Sequence, residues 1–328
     1  DKAEDILAEY FKKYGHFHLS GGETEKLELS LLLKELGNVK DLYESHRLYV
    51  YYSCVDIFHR LFVETEDNME DDDIEPIEDI FDNVQEIFDS YQLDSIYYHL
   101  NLVFEYLKLE YYNHYGLFRK AEKFYEEVND AVDNLLSNYT LYTYPSRFLI
   151  TKMERHLRLG KEAEIYEEAD ASFQDFELDK DNLPAIVTYH VYRGYACYYV
   201  NDIQGAIKWF NSLLNESELK KYTAVLMEVK VLLALQYALS NEHNLFNQLI
   251  NSVQRHIRNV GRENCEHIYY LSKILKISMS EMKKNKEDKI YDLLEAFPNV
   301  SPDHFAPTML LKKDEQLVEK LCTQKQEA

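Results

Sequence analysis

The chain has 328 residues, and its 59 Asp and Glu against 36 Lys and Arg give a formal charge of −23. That balance argues against phosphate-backbone binding and against an anionic membrane surface, because both need basic surface. With 46% hydrophobic residues the chain can bury a core. With only 9 Gly and 6 Pro it has few residues for the turns of all-β folds or the phosphate loops of α/β folds, so the composition predicts an all-α protein.

Apolar residues at helical spacing recur along the chain between short polar breaks. Asp5 to Tyr14 reads as a first helix and His16 to Gly22 as a break. Thr24 to Leu36 reads as a second helix, with Leu27, Leu31, Leu32 and Leu36 on one stripe and Gly37-Asn38 ending it. Lys40 to Phe62 reads as one long helix. An acidic break follows: no Lys or Arg occurs from Leu61 to Leu107, and Glu64 to Asp82 carries 11 acids. Met69 to Asp73 is expected to be an exposed loop, and Pro76 suits the first turn of the next helix. The expected organisation is an N-terminal helical region over 1–98 with an acidic loop near 64–75, repeats over 99–300, and a capping helix and tail over 301–328.

The clearest repeated unit is Val191 to Leu214. Gly194 lies in one helix, Asn201-Asp202 make a turn, and Ala206, Phe210 and Leu213 line a second helix. A small residue in each helix lets the pair approach closely, and an aromatic one turn further on fills the groove beside the contact. Gly116 with Ala121, Tyr125 and Val128, and Asn241 with Phe246, Ile250 and Val253, repeat the pattern. Fainter copies place Gly160 before Ala163, Tyr166 and Ala169 with a shortened connection, Asn285 before Ile290, Leu294 and Phe297, and Gly37 before Leu42. The turns at 116, 160, 201, 241 and 285 recur every 40 to 44 residues.

This spacing resembles the tetratricopeptide repeat, although the period is longer and the usual Trp and closing Pro are missing. The resemblance implies an α-solenoid of antiparallel helix pairs in a right-handed superhelix. It also implies a concave face lined by first helices that binds a protein or peptide. Carried over by register, that face comprises Tyr106, Glu110, Asn113 and His114, then Arg147, Glu154 and Arg158, then Tyr195, Tyr198 and Tyr199. Most of the 28 Tyr must serve helix packing instead.

Catalytic and metal patterns are sparse. His16, His18 and Glu23 could approach a cation, but a solvated loop is the simpler reading. Gly15 to Gly22 lacks the Gly-Lys-Ser/Thr ending of a phosphate loop. Asp67 to Glu78 has the length of a calcium loop, but Met69 and Asp72 stand where a ligand and a turn glycine are required. Glu110 and His114 share a helix face without further catalytic partners. Arg255, His256, Arg258 and Arg262 form one small basic cluster at a helix end. Cys54, Cys197, Cys265 and Cys322 are spread without pairing motifs, as buried free thiols in a reducing cytoplasm would be. No apolar run approaches the length of a membrane span.

The expectation is therefore a non-catalytic, cytoplasmic scaffold with no cofactor and no metal, partnered by protein or peptide and not by nucleic acid or membrane. The alternative is a peptide-sensing regulatory domain of a longer protein, since the chain does not begin with Met. An enzyme on an α/α scaffold is the remotest alternative.

Overall fold

The computed structural model describes residues 2–64, 75–91, 95–138, 144–172, 179, 181–280, 285–298 and 302–323. Among these the regular elements are helices, and no strand occurs. In chain order they are α1 (Lys2–Ser20), α2 (Glu23–Leu42), α3 (His46–Phe62), α4 (Ile77–Ser90), α5 (Ser95–His114), α6 (Phe118–Asn138), α7 (Tyr144–Leu159) and α8 (Glu164–Ser172). They continue as α9 (Leu183–Tyr199), α10 (Ile203–Leu214), α11 (Thr223–Leu239), α12 (His243–Val260), α13 (Glu266–Ser278), α14 (Lys286–Glu295) and α15 (Glu315–Thr323). No described helix is long and apolar enough to cross a membrane. The loop expected over Met69 to Asp73 lies outside the described residues.

The chain divides into two compact units. The first comprises Asp1–Phe17 and Gly22–Thr151, and the second His18–Gly21 and Lys152–Ala328. The core of the first unit is aromatic: Tyr10, Phe11, Tyr14 and Phe58 are buried, and Phe58 meets Phe11 and Tyr14 edge-on at 5.1 and 4.6 Å. In the second unit α9 packs on α10, α10 on α11, α11 on α12 and on α13, and α13 on α14. This is an all-α stack of helix hairpins. Cys54, Cys197 and Cys265 are buried, Cys322 is partly buried, and none of the four is in a disulfide.

Five hairpin turns fall where the repeat places them. Gly116, Gly160, Asn201, Asn241 and Asn285 all have positive φ, between 57 and 68°. Only Gly, and less readily Asn, adopts that conformation at low cost. At 116, 160, 201 and 241 the backbone bonding is the same. The turn residue donates to the carbonyl three back, and the next residue to the carbonyl five back, as in Asn201 N–H to Tyr198 (3.1 Å) and Asp202 N–H to Cys197 (2.9 Å). This double closure satisfies the last carbonyls of the first helix. Asp202 then caps α10 by accepting from the Gly205 N–H at 2.9 Å. Gly160 has open space where a Cβ would go, so Gly160→Ala tests backbone strain alone. It should cost about 1 kcal/mol, seen as a lower urea midpoint of the second unit followed by Trp209 fluorescence.

Five and nine residues after each turn the chain is buried: Ala121 and Tyr125, Ile165 and Ala169, Ala206 and Phe210, Phe246 and Ile250. Ile290 continues the series after Asn285. The turn at Gly160 therefore keeps the common register, and Ile165 occupies the contact expected of Ala163 and Tyr166. No shortened connection is needed.

The N-terminal expectations are corrected. Helix α1 runs through His16, Phe17 and His18, so the break is confined to Gly21-Gly22. Gly37-Asn38 does not end α2, which continues to Leu42, and α3 begins only at His46. The glycine serves a different purpose there: a Cβ on Gly37 would lie 3.2 Å from the Tyr52 ring. It lets α3 approach α2, and the turn expected at that point does not form. The buried stripe of α2 is Leu29, Leu36 and Val39, while Leu27 and Leu31 are more than half exposed.

Candidate functional site

In the second unit α9 carries tyrosine hydroxyls, α11 a buried carboxylate and α13 an imidazole, and a segment of the chain itself lies against them. Leading into α15, residues Asp303 to Lys313 have irregular backbone with one 3₁₀ turn at Pro307–Leu310. Pro302 and Pro307 discourage a longer helix. The strap is bound largely through its main chain. The Tyr195 hydroxyl of α9 donates to the Pro307 carbonyl at 2.7 Å. The Tyr199 hydroxyl donates to the Leu310 carbonyl at 2.8 Å and accepts from the Lys312 N–H at 3.1 Å. Glu228 of α11 accepts the Thr308 N–H at 3.0 Å.

Apolar burial adds to these bonds. Phe305, Ala306, Pro307, Leu310 and Leu311 are buried. The strap starts against Gly21, where a Cβ would meet the His304 nitrogen at 2.8 Å. Phe305 stacks on the His18 ring at 4.9 Å and donates its N–H to the His18 carbonyl at 2.7 Å. Glycine at 21 is thus needed for both its positive φ and the close passage of the strap. Beyond the strap, Lys312 reaches Glu162 at 2.9 Å. Lys320 of α15 lies 4.4 Å over the Tyr198 ring. A cavity of about 180 Å³ remains here, lined by Glu162, Tyr198, Tyr199, Lys312, Asp314 and Lys320 among others.

Burial raises the phenols of Tyr195, Tyr198 and Tyr199, so they stay neutral and able to donate. Glu228 is pushed up by complete burial. The His267 hydrogen bond and the Thr308 N–H, with the His304 imidazole close by, outweigh that and hold it down at about 2. It is therefore an ionised carboxylate inside the unit.

The other face candidates sit differently. In the first unit Tyr106, Glu110 and Arg147 come together, but in the core. Tyr106 and Glu110 are buried, the Thr151 hydroxyl donates to Glu110, and the Arg147 guanidinium lies 3.8 Å over the Phe62 ring. Burial raises the Glu110 carboxyl against the pull of Arg147 and Thr151. Asn113 is half-buried and His114 exposed at the end of α5. Glu154 and Arg158 are exposed on α7. Of the candidates, Tyr195 and Tyr199 bind the strap through their hydroxyls.

Sequence spacing missed Glu228, His267 and His304, which lie on α11, α13 and the strap. Their imidazole nitrogens and carboxylate oxygen fall within 4.8 Å of one another. A second group joins His156 of α7 to Glu164 and Glu168 of α8, and Lys152 already pairs with Glu168 at 2.6 Å. No protein-family model matches the chain, and neither does any curated protein or solved structure.

Proposed function

We propose that this chain is a non-catalytic, tetratricopeptide-like scaffold whose second unit binds a short apolar peptide segment on its first-helix face. The carrying observation is the strap. Tyr195, Tyr199 and Glu228 bind main-chain groups of Pro307, Thr308, Leu310 and Lys312, while apolar side chains fill the space between them. Recognition through the main chain accepts many sequences, and tyrosine supplies an apolar body and a polar tip with little rotamer entropy to lose. A second reading, a peptide-sensing regulator, is favoured by the same strap: an outside peptide must first displace it. Each buried strap side chain contributes about 1.5–3 kcal/mol, and ordering each residue costs about 1–2 kcal/mol. These opposing magnitudes make the strap a displaceable occupant.

Tyr195→Phe with Tyr199→Phe keeps the rings and removes the hydroxyls, at about 1 kcal/mol for each hydrogen bond. Amide exchange of Thr308 to Lys312 should accelerate by roughly tenfold or more, while α11 and α12 exchange as before. Replacing Leu310 and Leu311 with Ser should loosen the strap and raise the affinity of the face for a synthetic peptide copying residues 302–313. If neither the tyrosine pair nor the leucine pair changes peptide binding, the face is not a peptide site.

A further inference from the structure

We propose that Glu228, His267 and His304 form a binding site for one divalent transition metal of the zinc class. The three residues come from three separate segments, α11, α13 and the strap, and their donor atoms converge inside the second unit. Glu228 is fully buried, and the side chains of His267 and His304 are 6% and 12% exposed. One imidazole is already satisfied, because His267 hydrogen-bonds Glu228 Oε1. The other is not: His304 Nε2 is buried without a hydrogen-bond partner, 3.7 Å from the same carboxylate oxygen. A hydrogen-bonded latch would leave no such atom, since a buried polar group without a partner costs about 1–3 kcal/mol. The Thr308 hydroxyl is a second buried polar atom without a partner, on the residue whose N–H is bound to Glu228 Oε2.

The spacing suits a metal. Two ligand atoms on tetrahedral Zn²⁺, with bonds of about 2.0–2.1 Å, stand roughly 3.3 Å apart. The His304 to Glu228 separation is close to this, and His267 must move back by only about 1 Å. The Thr308 N–H on the other carboxylate oxygen is the kind of outer contact that orients a metal-bound carboxylate. Two imidazoles and one carboxylate, with no thiolate, favour Zn²⁺, Co²⁺ or Ni²⁺ over the hard cations Ca²⁺ and Mg²⁺. Three protein ligands leave a fourth position open. Lys313 is the nearby cation, and its ammonium sits 4.6 Å over the Phe297 ring. A bound metal would pin the strap to α11 and α13 through His304.

The test uses the whole, untagged, chelator-stripped chain and Zn²⁺ itself, by calorimetry at neutral pH, with Co²⁺ absorption as a report on geometry. One equivalent should bind at micromolar concentration or tighter, with visible bands of four-coordinate Co²⁺ and slowed amide exchange at Thr308. His304→Ala lies on the strap, outside the helices, and should weaken binding more than tenfold with an unchanged circular dichroism spectrum. Glu228→Gln should do the same. His156→Gln, which disables the second group, should leave binding as it was. Absence of saturable Zn²⁺ binding overturns the proposal. So does binding that survives His304→Ala, which is decisive even if Glu228→Gln fails to fold.

Discussion

Gly194→Ala should destabilise the second unit, although alanine is the better helix former. By propensity alone the change would stabilise α9 by about 0.5–1 kcal/mol. Packing outweighs that. A Cβ on Gly194 would lie 2.6, 2.7 and 3.0 Å from three ring carbons of Phe210. The ring has no free direction: Phe210 is fully buried and meets Tyr195 edge-on at 5.9 Å. Overpacking of this kind costs about 1–3 kcal/mol, so the net change should be a loss, larger for Gly194→Val. Trp209, the single tryptophan, reports on this hairpin because its indole lies against Tyr189 and His190 at 5.7 and 5.3 Å. Urea unfolding followed at Trp209 should show a lower midpoint for both variants. Phe210→Leu on the Gly194→Ala background should recover part of it, since the two positions share one contact. A Gly194→Ala chain as stable as the parent would show that α9 and α10 do not approach as closely as the repeat requires.

The same glycine logic shows what was legible in the sequence and what was not. Gly116, Gly160, Asn201, Asn241 and Asn285 could be placed because a left-handed turn restricts residue type and the helix that follows has a fixed register. Gly37 belongs to the same residue class yet serves a close helix approach beneath Tyr52, and nothing local distinguishes the two uses. Tyr195 and Tyr199 could be named from register, but the strap that their hydroxyls bind could not. The strap between Asp303 and Lys313 has no periodicity, and its contacts with α9 span over a hundred residues of chain. Glu228, His267 and His304 are likewise separated by whole helices, so no spacing motif can reveal them. Tyr106 and Glu110 satisfied the same register and are buried in the first unit.

Acid should weaken the first unit as pH falls below 6.5, and His59 is the reason. The ring is buried between α1, α2 and α3. The Tyr10 hydroxyl meets Nδ1 at 2.9 Å, and Ser30 Oγ meets Nε2 at 3.3 Å. The Ser30 hydroxyl donates to the Lys26 carbonyl at 3.1 Å, which leaves its oxygen to accept from Nε2–H and Nδ1 to accept from Tyr10. That network requires a neutral imidazole. Burial, helped by the charges of Lys26 and Arg60, lowers His59 from 6.5 to about 4, with Glu64 Oε1 at 3.7 Å the opposing charge. The unfolded chain therefore takes up the proton first. Stability is complete above pH 6.5 and falls as pH drops toward 4, by at most about 1.4 kcal/mol per pH unit and roughly 3 kcal/mol in all. Asp56 and Glu110, raised mainly by burial, act in the opposite direction, so the drop assigned to His59 is read against His59→Gln. Because Trp209 lies in the second unit, the measurement is amide exchange of α3, corrected for intrinsic rates. Protection should drop between pH 7 and 4.5 in the parent. In His59→Gln, which keeps a polar side chain and cannot titrate, it should stay level across that range, whatever its starting value. Parallel curves for the two chains would remove His59 as the cause.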